Sequence, residues 1–159
     1  MAGDNAYVKK LREMAVSGEL TAQNSLAALY ATGESVEKDY EKAIFWYSEA
    51  DKQGDMNAKY NLALMELFGE GVEPNANNAI KKLLEAAKGE NADANLFLAN
   101  IFINGSYEQS QSDEKAIKYF IKSAVCGSEK AVRELGKFLE SSSSRKNLGI
   151  KLMKNFVFG

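Results

Sequence analysis

The stretch AQNSLAALYATGESVEKDYEKAIFWYSEADKQGD, residues 22–55, reads as two helices joined by a tight turn. Ala22, Leu26, Leu29 and Tyr30 recur at three- and four-residue spacing and so share one helix face. Gly33 is placed to stop that helix, with Val36 in the turn beyond it. Asp39 is a good N-cap for a second helix whose inner face carries Ala43, Trp46, Tyr47 and Ala50, and Gly54 closes it. A single helical hairpin cannot bury both of its apolar faces, so a stable fold needs further copies.

They are present. A step of 36 places takes Ala22 to Ala58, Leu26 to Leu62, Gly33 to Gly69, Val36 to Val72, Ala43 to Ala79 and Ala50 to Ala86. A second step of 36 takes Ala58 to Ala94, Leu62 to Leu98 and Gly69 to Gly105. The register then slips by one, so that Ala79 corresponds to Ala116, and Tyr119 and Phe120 take the places of Trp46 and Tyr47. A weaker fourth copy starts at Ala131, with Leu135 and Gly136. A period in the thirties with small residues at helix contacts predicts an all-α fold, a solenoid of antiparallel helix pairs.

Residues 22–47 follow the pattern Ala-x3-Leu-Ala-x2-Tyr-x2-Gly-x2-Val-x2-Asp-x2-Lys-Ala-x2-Trp-Tyr, and Gly69, Gly71 and Val72 form a Gly-x-Gly-Val turn. This pattern resembles the Sel-1-like repeat, a relative of the tetratricopeptide repeat, over residues 22 to about 139. The resemblance implies a right-handed superhelix that works by holding other proteins. On this reading the chain is one solenoid domain: a capping helix at 5–18, repeats at 21–55, 57–90 and 93–128, and a degenerate repeat with a C-terminal cap at 129–159. The capping helix carries Tyr7, Val8, Leu11, Met14 and Ala15 on its apolar face. The third turn, Ser106 to Ser112, lacks the Gly-Val signature and is expected to be a flexible surface loop. A last helix is marked by Leu148, Ile150, Leu152 and Met153, with Lys151 and Lys154 on a basic outer side. The apolar end from Asn155 to Gly159 is expected to fold onto the final helix pair, the alternative being an exposed hook for a partner.

The composition narrows the chemistry. With 159 residues, 45% hydrophobic and 26% charged, the chain can build a core. It has no histidine, which removes the commonest general base and zinc ligand and every Ser-His or Cys-His pair. Cys126 is the one cysteine, so no internal disulfide forms, which leans toward a cytoplasmic setting. The opening MAGDNAYVKKLREM mixes acids and bases without an apolar run, and no stretch is apolar for long enough to span a membrane. The acidic pairs lie in turns and no phosphate-binding loop occurs. Neither catalysis, nor a cofactor, nor a metal, nor a small-molecule substrate is therefore expected.

Charge is unevenly spread. Residues 1–114 hold 10 Lys/Arg against 19 Asp/Glu, whereas residues 115–159 hold 10 against 3. The low overall pI of about 5.4 argues against nucleic acid as partner.

In the architecture that the resemblance implies, the first helix of each pair lines a concave groove. The groove positions of the first repeat, Thr21, Asn24, Ala28 and Ala31, are small or polar. Those of the second, Asn57, Tyr60, Leu64, Leu67 and Phe68, and of the third, Asp93, Leu96, Asn100, Ile103 and Asn104, are apolar and aromatic at their centre, and a wet groove lined by Asn61, Asn100 and Asn104 would suit the backbone of an extended peptide. The fourth repeat adds Arg133 and Lys137, one turn apart. An aromatic anchor beside polar and arginine neighbours is the make-up of an interaction hot spot. The competing reading for the leucines is burial against neighbouring first helices. Related tetratricopeptide proteins clamp a terminal carboxylate with Lys and Asn, but Asn24, Ala28, Asp93 and Phe97 stand at the corresponding places here, which argues against that mode. The expected function is thus non-catalytic binding of a partner protein or peptide by a monomer. Small bacterial members of the family include toxin-neutralising immunity proteins, and the acidic N-terminal half suits a basic toxin domain. The alternative is an adaptor docking an anionic partner through its basic C-terminal end.

Overall fold

The computed structural model describes the backbone of residues 6–158 and the side chains of residues 6–156. Among these, nine helices and no strand are present: α1 (Ala6–Val16), α2 (Leu20–Thr32), α3 (Tyr40–Lys52), α4 (Met56–Phe68), α5 (Ala76–Lys88), α6 (Ala92–Asn104), α7 (Asp113–Val125), α8 (Glu129–Glu140) and α9 (Ser143–Phe158). The start of the capping helix at position 5 lies outside the described residues, as do the side chains of Val157 and Phe158 and all of Gly159.

Each first helix (α2, α4, α6) ends on a glycine in the left-handed conformation, Gly33, Gly69 and Gly105, whose N–H bonds to the carbonyl four residues back. The chain then turns until the N-cap of the second helix donates its own N–H to the last turn of the first: Asp39 to Tyr30, Asn75 to Glu66 and Ser112 to Phe102, each at 2.9 Å. The same caps accept from the second helix's first turn, Asp39 from Lys42, Asn75 from Asn78 and Ser112 from Lys115. The single inserted residue of the third turn is absorbed between these two anchors. That turn, expected to be a flexible surface loop, sets Tyr107 and Glu108 consecutively at positive φ and closes on a Gln109 N–H to Ser106 O bond. The connections between pairs are equally regular. Asp55, Asn91 and Ser128 cap α4, α6 and α8, accepting from Ala58, Ala94 and Ala131.

The chain divides into two compact units, Met1–Lys82 and Leu83–Gly159. In the first, Leu11, Leu26, Tyr30, Tyr47, Leu62 and Met65 form the core around alanines that are wholly enclosed. Val8, Leu11 and Ala15 of α1 are buried, whereas Tyr7 is exposed and lines, with Thr21, Ala22 and Ser25 of α2, a cavity between the two helices. In the second unit, Leu96, Ile117, Phe120, Ile121 and Leu135 form the core, with Leu148 and Leu152 of α9 against it. Arg145 joins α9 to α7 by a 2.7 Å bond to Asp113 and lies over the Phe138 ring of α8. Gly149 is buried and lets α8 approach, since a Cβ there would stand 2.6 Å from Leu139 Cδ2. Two expectations for this end change. The residues after Asn155 continue α9 as far as Phe158, there being no helix breaker, and Phe156 is exposed. Ile150 and Met153 are exposed, whereas Leu148 and Leu152 face the core.

The position after the stopping glycine by two residues is left-handed in all three turns: Ser35, Gly71 and Tyr107. Only Gly71 holds it without a Cβ penalty, and a Cβ there would stand 2.6 Å from Tyr40 Cβ. Gly71→Ala is therefore expected to lower stability by about 1–3 kcal/mol. Ser35→Gly, at the equivalent exposed site, is expected to raise it by about 0.5–1 kcal/mol. Urea unfolding followed by circular dichroism reads both, and a stabilised Gly71→Ala would contradict this account of the turn.

Candidate functional site

Asn57, Tyr60, Asn61, Leu64 and Phe68 fall at intervals of three and four along α4 and so share one helix face. Tyr60, Asn61 and Leu64 are half-buried, and Phe68 is 56% exposed. Leu67 stands one place off this face and is buried, leaving little of it to a partner. Asn57 and Asn61 line a cavity of about 390 Å³ between α2 and α4, together with Thr21, Asn24 and Ala28 of α2. Its amides are poised for hydrogen bonding. Asn24 donates from Nδ2 to Leu20 O at 3.4 Å, while its Oδ1 is buried and accepts no bond among the described groups.

The wall behind α2 is fixed by buried polar contacts. Gln23 donates to Ala15 O at 3.2 Å and accepts from Gln53 Nε2 at 2.7 Å. One repeat on, Lys59 Nζ lies 3.4 Å from Asp51 Oδ1, and one further, Asn95 donates to Ala87 O at 3.3 Å. The same helix-to-helix tie thus recurs with three different chemistries. Glu66 plays a similar part on α4, accepting from Asn78 Nδ2 at 2.6 Å and pairing with Lys82. Lys82 replaces the Trp of the first repeat, and this ion pair accounts for its polarity.

In the second unit, Leu96 is buried, Asn100 and Ile103 are half-buried, and Asn104 is exposed. Asn100 donates to Leu96 O at 3.1 Å and reaches Glu134 of α8 at 3.5 Å. Arg133 and Lys137 are both exposed. Arg133 stands 3.8 Å from Glu129, and Lys130 3.9 Å from Glu134. α8 therefore sets Lys130, Arg133 and Lys137 against Glu129, Glu134 and Glu140, and its charges balance. The positive excess of this end belongs to α7 and α9.

Residues 20–55, 57–91 and 92–128 each match the family model described as the Sel1 repeat. The chain belongs to the Sel1 repeat family. Among solved structures it is similar to c5321, described as a protective antigen of uropathogenic Escherichia coli displaying an SLR fold, with a TM-score of 0.77 and 25% identity. It is similar also to a Sel1 repeat protein from Oxalobacter formigenes, with a TM-score of 0.76 and 31% identity. The alignments cover 93% and 91% of this chain but only 32% and 57% of those proteins, so it spans a third to somewhat over half of their length. No curated protein matches it. The fold is thus an all-α helical solenoid, and Sel1 repeats generally serve as scaffolds for protein–protein interaction. No helix among the described residues is long and apolar enough to cross a membrane.

Tyr47 also lines the α2–α4 cavity, a role hidden in the sequence because the residue reads there as core. Burial pushes its phenol up to about 12. The folded state favours the protonated ring, so this contribution is intact below pH 10 and is lost as the pH rises toward 12. Two pKa units correspond to about 2–3 kcal/mol. Tyr47→Phe cannot ionise, and its urea midpoint is expected to fall less between pH 10 and 12 than that of the parent chain. Parallel curves for the two proteins would show that Tyr47 titrates normally.

Proposed function

We propose that this Sel1 repeat chain is a non-catalytic module that holds a segment of a partner protein on its first-helix faces. The α4 face carries the reading, because it sets half-buried Tyr60 and exposed Phe68 beside the amide-lined cavity of Asn24, Asn57 and Asn61. An aromatic side chain beside an amide-lined cavity offers an apolar anchor together with hydrogen bonds for an extended backbone. Leu64 supplies the flank of the anchor. Asn100, Ile103 and Asn104 on α6, and Arg133 and Lys137 on α8, extend the contact with polar groups. Leu67 and Leu96 support these faces from beneath.

The acid excess of residues 1–114 favours a partner with a basic surface. A toxin-neutralising role is the form of this reading in which that partner is a basic toxin domain. The balanced charges of α8 do not favour docking of an anionic partner there.

A partner recovered with the full chain provides the test. Tyr60→Ala combined with Phe68→Ala is expected to weaken its binding by at least roughly tenfold, with the helical circular dichroism signal retained. Undiminished affinity in the folded double variant would refute the α4 site. Growth rescue of cells expressing that partner would mark it as a toxin, and absence of toxicity would remove the immunity role while leaving the binding role standing.

A further inference from the structure

Away from the first-helix faces, the second unit holds a cleft of about 800 Å³ between α7 and α9. One wall is a single face of α7, with Lys115, Lys118, Tyr119 and Lys122 at intervals of three and four. The other is the face of α9 that presents Lys151, Leu152 and Phe156, and Phe102 lies beneath. Glu114 is the one carboxylate among the lining residues, against four lysines. It is already held by Lys118 at 2.6 Å, and Lys118 and Lys151 together keep its carboxyl below the usual range.

Of the remaining lysines, Lys151 shares Glu114 with Lys118 at longer range. Among the described residues no carboxylate stands within ion-pair distance of Lys115, Lys122 or Lys151. Lys115 Nζ instead lies 4.8 Å over the Phe102 ring and Lys122 Nζ 5.6 Å over the Tyr119 ring. Those two rings are themselves stacked, with centroids 5.6 Å apart and planes 7° from parallel. Two ammonium groups are thus held in place over an aromatic platform, and less side-chain freedom is lost when an anion arrives.

The geometry selects the kind of anion. From Lys115 to Lys122 the α7 face rises about 10 Å, two helical turns, so its charges form a row and do not converge on one point. A lone phosphate would meet one or two of them. The site is a cleft with an apolar bed, which a flat headgroup surface does not fill. We infer that the α7–α9 cleft docks an acidic amphipathic helix of a partner protein, its carboxylates meeting Lys115, Lys118, Lys122 and Lys151 and its apolar side chains resting on Tyr119, Leu152 and Phe156. Helix-in-groove recognition has this form, with anchors three, four and seven residues apart. The inference is independent of the α4 site.

The probe is a fluorescein-labelled synthetic peptide of three helical turns, leucine along one face and glutamate on both flanks, titrated with the full chain and followed by fluorescence polarisation. A shuffled peptide of the same composition is the control. The parent chain is expected to bind the ordered peptide at least roughly tenfold more tightly than the shuffled one. Lys118→Glu with Lys122→Glu, both on exposed side chains, is expected to weaken binding by roughly tenfold or more, and Phe156→Ala by a smaller factor. Tyr60→Ala with Phe68→Ala is expected to leave it unchanged, which separates this cleft from the α4 site. Equal binding of the shuffled peptide, or no saturable binding below about 1 mM, would overturn the inference. So would full displacement by inorganic pyrophosphate, which would identify a small-anion site, or by phosphatidylserine vesicles, which would identify a lipid surface.

Discussion

The fold depends on helix backbones coming close together at positions where the side chain is no larger than a methyl group. Ala27, Ala63 and Ala99 occupy one such position at successive repeats, and Ala22, Ala58, Ala94 and Ala131 another, all enclosed to 1% exposure or less. On the second helices Ala43, Ala79 and Ala116 do the same. Each alanine leaves room for a larger neighbour, such as Leu26, Leu98 or Phe120, to enter the space above it. A larger side chain at these sites would force the helices apart and strain the turns that join them. Where the series departs from alanine, the size limit survives. Ser123 follows Ala50 and Ala86, is fully buried, and spends its hydroxyl on Ala92 O at 2.7 Å.

That spacing is kept by short backbone anchors. An N–H from the cap of each second helix to the last turn of the first closes the hairpin at the same length, whether the turn has eight or nine residues between them. The insertion in the third turn therefore changes the loop and leaves the helices where they are. Its cost appears as two consecutive non-glycine residues at positive φ, which glycine bears at Gly71 and a lone serine bears at Ser35.

A scaffold fixed in this way is free to vary its surface. The first unit turns amides and aromatic groups outward along α4, and the second gathers lysines between α7 and α9. The two surfaces differ in the chemistry they would recognise. Amides suit the polar backbone of an extended segment, and a row of lysines over stacked rings suits carboxylates on an ordered one. Both proposed surfaces are compatible with the Sel1 repeat family, which generally serves protein–protein interaction.

The amino-acid sequence by itself determined the period, the helix roles, the stopping glycines and the caps, because each rests on contacts within a few residues of chain. The pairing of Arg133 with Glu129, four residues apart on one helix, is of this local kind as well. The tertiary structure alone decided which side of each helix faces outward. Successive residues turn by about 100° around a helix, so a small rotation exchanges a buried leucine for an exposed one. Leu67 and Leu96 went inward while Phe68 stayed out, and Ile150 and Met153 were left exposed beside buried Gly149. The lysine cleft was hidden for the same reason. Lys122 and Lys151 are far apart in the chain, and only the packing of α9 against α7 makes them opposite walls of one site.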